Sequence, residues 1–69
     1  MRDVTAIDQD LVDQSHILRQ RATSLRHQAD SLTRPLATAY RRRASELEFE
    51  AWISELQAGV PYEEVQPAA

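Results

Sequence analysis

A chain of 69 residues with no cysteine and a single glycine excludes a disulfide scaffold, a thiolate metal centre and a glycine-rich phosphate loop. Its length allows one small domain with little core, and no apolar run approaches the roughly 20 residues that span a bilayer. The net charge of −3 argues against a general polyanion binder.

The first residues, MRDVTAIDQD, lack the apolar stretch of a signal peptide, so a cytoplasmic location with no membrane partner is expected. Val4, Leu11, Leu18, Leu25 and Leu32 then recur at every seventh position, with Asp8, Ser15, Ala22, Ala29 and Leu36 four places after each. This is the seam of a coiled-coil-like helix. Thr5 followed by Asp8 resembles a capping box with a shorter acid, which predicts a first helix over about 6–32. Thr33, Arg34 and Pro35 supply the turn, because proline is tolerated in a first helical turn and discourages helix in the residue before it. A second helix is predicted over about 35–58, stopping at Gly59. The short segment 59–69 holds one further turn, begun by Pro61 and ended by Pro67, and residues 66–69 are expected to fray.

The apolar residues of the two helices mirror one another about Arg34 and Pro35. Leu32 answers Ala37, Ala29 answers Tyr40, Leu25 answers Ala44, Ala22 answers Leu47, Leu18 answers Ala51, Ser15 answers Ser54, and Leu11 answers Ala58. Folding antiparallel about the turn sets these pairs face to face, and most match a large residue with a small one, which is how close helices fill a seam. The fold class is therefore all-α, a single-domain antiparallel two-helix hairpin with a Leu/Ala seam. A continuous helix paired with a second copy would make the same contacts between chains. Proline in mid-helix costs roughly 3 kcal/mol, which favours the hairpin.

A second apolar face lies off the seam. Phe49, Trp52, Ile53 and Leu56 fall at i, i+3, i+4 and i+7, one stripe of the second helix that points away from the first. Ile17, also off the seam, is expected near the level of Trp52, where it would extend the patch. Three occupants compete for the stripe: the chain's own Val60, Tyr62 and Val65, a different protein, or a second copy forming a four-helix bundle. The homodimer is the reading favoured by so little core in one hairpin.

Charge is segregated along the chain. Residues 44–69 carry six glutamates and no base, whereas all eight cations are arginine, a usage that a GC-rich genome also produces, and seven of them lie between positions 19 and 43. Arg26, Arg34, Arg41, Arg42 and Arg43 thus form a candidate anion or nucleic-acid contact at the hairpin tip. The expected register places Arg19 beside Glu48, Arg21 beside Glu50, and Arg42 one turn before Glu46. It leaves Arg26 opposite Arg41. Against nucleic acid stand the overall acidity and the lack of aromatics among the arginines.

No catalytic, metal or cofactor constellation emerges. His16 and His27 are about 16 Å apart along a helix, too far to share a metal ion. The glutamates at 46, 48 and 50 scatter around the helix. The expected function is non-enzymatic: a small protein–protein interaction module, self-associating, that works as an adaptor, regulator or assembly subunit. The alternative is a small nucleic-acid-associated regulator that contacts phosphates through the arginine tip.

Overall fold

A computed structural model describes residues 6–65. Two helices, α1 (Gln9–Ala29) and α2 (Arg34–Ala58), pack antiparallel along their lengths, and a single 3-10 turn, η1 (Tyr62–Glu64), follows. The architecture is the helical hairpin, folded back within one chain. It is a rod with principal extents of 55 × 18 × 13 Å.

Each helix end has a local cause. α1 begins three residues later than the sequence pattern predicts, because the Asp8 carboxylate is itself the N-cap and accepts the amides of Asp10 at 3.1 Å and Leu11 at 3.3 Å. That satisfies two of the four amides a helix start leaves open. Val4 and Thr5 of the predicted heptad and capping box lie outside the described residues, as do Pro67 and the rest of 66–69. α1 also ends earlier, at Ala29. The amides of Asp30, Ser31 and Leu32 donate to carbonyls three residues back, a tightened final turn. Thr33, extended at ψ 157°, then opens α2 with Pro35 in its first turn, where the missing N–H costs nothing.

Gly59 closes α2 in the left-handed region at φ 93° and ψ 13°, and the Val60 amide reaches back to the Glu55 carbonyl at 3.2 Å. A Cβ at Gly59 would meet the Ala6 carbonyl oxygen at an ordinary 3.5 Å. The cost of a side chain here is therefore in the backbone and not in space. We expect Gly59→Ala to lose about 1 kcal/mol, read as a fall of roughly 5 °C in a thermal melt followed by circular dichroism. The same end is tied to the start of the chain by the Asp8 amide, which donates to the Ala58 carbonyl at 2.8 Å.

The centre of the seam is alanine. Ala22, Ala44 and Ala51 are wholly enclosed, Ala29, Ala37 and Ala58 nearly so, and Leu47 is the one large apolar side chain among the described residues that is fully buried. Ala22 and Leu25 of α1 meet Ala44 and Leu47 of α2, as the mirror requires, with Leu18 packed alongside. Leu11, Leu18, Leu25 and Leu32 are only half-buried, however. Where alanines let two backbones approach, leucines are displaced to the side of the contact.

One mirror pair is different from the expectation. Ser15 is buried, but Glu55 is the buried residue of α2 at its level, and Ser54 is only half-buried. The Ser15 hydroxyl donates to the Val12 carbonyl at 2.7 Å, and the Glu55 carboxylate is held by Arg19.

Candidate protein-binding face

The seam fixes which way every other side chain points. At about 100° per residue, Phe49, Trp52, Ile53 and Leu56 lie roughly 100–160° around α2 from the enclosed Ala51, so they face away from α1. Phe49 is 52% exposed, and its ring packs on Trp52 with centroids 5.7 Å apart and planes tilted by 45°. Trp52, Ile53 and Leu56 are half-buried. The structure thus brings the four residues of the stripe together on one face, with an aromatic pair at its N-terminal end.

Among the described residues, the C-terminal segment leaves Phe49 uncovered. Val60 and Val65 are half-buried, but Tyr62 is 73% exposed and Phe49 remains open. Ile17, 56% exposed, lies about 140° around α1 from enclosed Ala22. It stands on the outer surface of the other helix, and the structure does not join it to the stripe.

The arginines are arranged differently from the sequence expectation. Arg19 makes a two-pronged ion pair with Glu55, Nε to Oε2 at 3.0 Å and an Nη to Oε1 at 2.8 Å. Arg26, placed beforehand against Arg41, makes the same pair with Glu48 at 3.1 and 2.6 Å, and adds the Ser45 hydroxyl at 3.0 Å. Arg41 instead approaches Asp30 at 3.4 Å, while Arg43, not Arg42 or Arg21, takes Glu46 at 3.0 Å and Glu50 at 3.5 Å. Arg19 and Arg26 are one heptad apart, and so are Glu48 and Glu55. Two equivalent clamps therefore line one flank of the seam, and the half-buried leucines line the other.

The clamps have an electrostatic consequence. The Arg19 guanidinium holds the Glu55 carboxyl below its ordinary value; burial opposes this, and the Ser15 hydroxyl with the charges of Arg19 and His16 adds to the lowering. The Glu48 carboxylate correspondingly holds the Arg26 proton more firmly.

Of the five tip arginines, Arg26, Arg41 and Arg43 are thus engaged within the hairpin. Arg34 and Arg42 have no ion-pair partner among the described residues. A shallow groove beside the tip is lined by Gln20, His27, Asp30 and the two paired cations Arg26 and Arg41. No group of residues among those described is arranged to hold a metal ion, and no described helix is long and apolar enough to cross a membrane.

Comparison of the chain with protein-family models, with curated proteins and with solved structures yields no match.

Proposed function

We propose that this protein is a non-enzymatic protein–protein interaction module whose binding surface is the outer face of α2. The observation that carries the reading is the Phe49–Trp52 pair, held in contact on the outer side of α2 with Phe49 exposed and Trp52 half-buried. Aromatic pairs at the surface of a rigid helix are efficient anchors, since they bring large apolar area with few rotatable bonds to immobilise. The hairpin's own core is almost entirely alanine, so an added apolar contact is worth much to a domain this small. Self-association through this face into a four-helix bundle, with the two α2 helices at its centre, supplies that contact. Such a surface suits assembly, adaptor or regulatory work.

Light scattering on the purified chain at low micromolar concentration tests this. The expected mass is twice the 7.9 kDa of one chain. Trp52→Glu should weaken association by at least about thirtyfold, an effect of about 2 kcal/mol, while the seam and its helicity persist. A helical monomer in which Trp52→Glu changes nothing would sink the self-association reading. Phosphate contact through the tip is the less supported alternative, with two arginines left to carry it; it predicts affinity that falls steeply with salt, which an apolar face does not.

A further inference from the structure

The outer face of α2 has its own symmetry, separate from the one that folds the hairpin. Phe49 and Leu56 are equidistant from the point between Trp52 and Ile53, so the stripe reads the same from either end in large apolar residues. That is the pattern a twofold contact between identical helices requires, because each residue on one copy must meet its mirror position on the other.

The charges on this face are not symmetric, and they select a direction. Going back along the face from Phe49 come Ser45, Arg42, Thr38 and Arg34, and both of these arginines lack an ion-pair partner among the described residues. Beyond Leu56, past the Gly59 cap, η1 carries Glu63 and Glu64, both exposed and likewise without an ion-pair partner there. In chain order, the charges without an ion-pair partner are thus cationic before the apolar stripe and anionic after it. Parallel pairing would set arginine on arginine. Antiparallel pairing sets arginine against glutamate, twice.

We propose that a second copy of this chain docks antiparallel on α2 with the twofold axis between Trp52 and Ile53, so that Phe49 meets Leu56 of the second copy and Arg42 meets its Glu63–Glu64 turn. The inference rests on the interaction-face reading and adds to it the occupant, the direction and the register. The reach is consistent. Arg42 lies about 16 Å along the helix from the axis; α2 of the other copy ends about 8 Å out, and the remaining distance is within the span of the four residues from Gly59 to Tyr62. The apolar centre supplies affinity, and the two ionic ends fix orientation and exclude the parallel alternative.

The test is sedimentation equilibrium on three full-length chains: wild type, Arg42→Glu, and the double variant Glu63→Arg with Glu64→Arg. All the altered positions are exposed, so circular dichroism should show unchanged helicity. Each variant alone should dimerise about tenfold more weakly, because both ionic ends become repulsive. An equimolar mixture of the two variants should recover wild-type affinity as a heterodimer. There the introduced carboxylate of one chain meets the introduced guanidinium groups of the other, while native Arg42 meets native Glu63 and Glu64 at the opposite end. If wild type dimerises but neither variant weakens it and the mixture shows no preference for the heterodimer, the register is wrong and the interaction face stands. If wild type is a monomer throughout, both the register and the self-association reading fall.

Discussion

Ala44→Leu should unfold most of the hairpin at 25 °C, whereas the double variant Leu25→Ala with Ala44→Leu should fold nearly as well as wild type. Ala44 is wholly enclosed and sits in the cluster formed by Ala22, Leu47, Leu18 and Leu25. A leucine there adds three carbon atoms where no space exists, so α1 and α2 must separate. Overpacking in a close-packed interior typically costs 1–3 kcal/mol. Separation also pulls at the Arg26–Glu48 clamp one turn away, whose 2.6 Å and 3.1 Å contacts depend on the spacing of the two helices. A domain of this size has only a few kcal/mol of net stability, so a loss near 3 kcal/mol leaves little folded material. The mirror swap exchanges the large and small members of one pair, keeps the summed volume constant and returns the helices to their spacing. Urea melts followed by circular dichroism would decide this. A single variant as stable as wild type would mean that the seam is looser than the enclosure of Ala44 implies. As a control, Leu36→Ala, at a position 52% exposed, should change stability by less than about 0.5 kcal/mol.

That pair also marks how far the sequence could be read. The hairpin, its direction and its large-to-small pairing follow from the arithmetic of the apolar positions, because antiparallel packing leaves a mirror in the sequence. What the arithmetic does not carry is the depth of each residue. Leu18 and Leu25 hold the same heptad position as a buried coiled-coil leucine, yet the structure leaves them half-buried. The alanines at 37, 44, 51 and 58, repeating every seventh residue, draw the helices close enough to push leucine aside. The helix boundary differs for a local reason: a capping box begun by Thr5 makes Asp8 its last residue, whereas Asp8 is the cap itself.

The charged flank was legible in principle. Arg19 and Arg26 are seven residues apart, and Glu48 and Glu55 are also seven apart, so matching one pair to the other gives both clamps at once. Reading the register from the apolar mirror alone placed Arg19 beside Glu48 and left Arg26 facing Arg41. Residues flanking a seam pair along a diagonal set by the side-chain lean of each helix, offset from the apolar register by about one turn. The aromatic stripe, by contrast, was fully visible in the spacing of Phe49, Trp52, Ile53 and Leu56, because four apolar residues at helical spacing must share a face.

Arg19→Ala should reverse the acid response of the protein as well as destabilise it. In wild type, Glu55 is buried and held below its ordinary value of 4.5 by the Arg19 guanidinium. As pH falls, the unfolded chain takes up the proton first. The stability from the clamp is therefore complete above about 4.5 and is lost as pH falls through the lower value of the folded state. Removing Arg19 takes the two-pronged partner from a carboxylate whose side chain is only 8% exposed in wild type. Breaking one side of such a pair costs on the order of 3 kcal/mol near neutral pH, because the remaining buried charge keeps only the weaker support of the Ser15 hydroxyl and His16. The sign of the shift then changes: burial, which opposes the lowering in wild type, now dominates and raises the Glu55 value above that of the unfolded chain. For the variant, stability is fully present below the unfolded value and is lost as pH rises through the folded one. The gap between wild type and Arg19→Ala should thus be widest near pH 7 and narrow steadily toward pH 4, where Glu55 is protonated in the variant. Glu55→Gln in the same series should remove this part of the pH dependence altogether. Thermal melts at half-unit pH intervals would show it. A gap that stays constant from pH 7 to pH 3 would mean that Arg19 contributes through the packing of its stem and not through its charge.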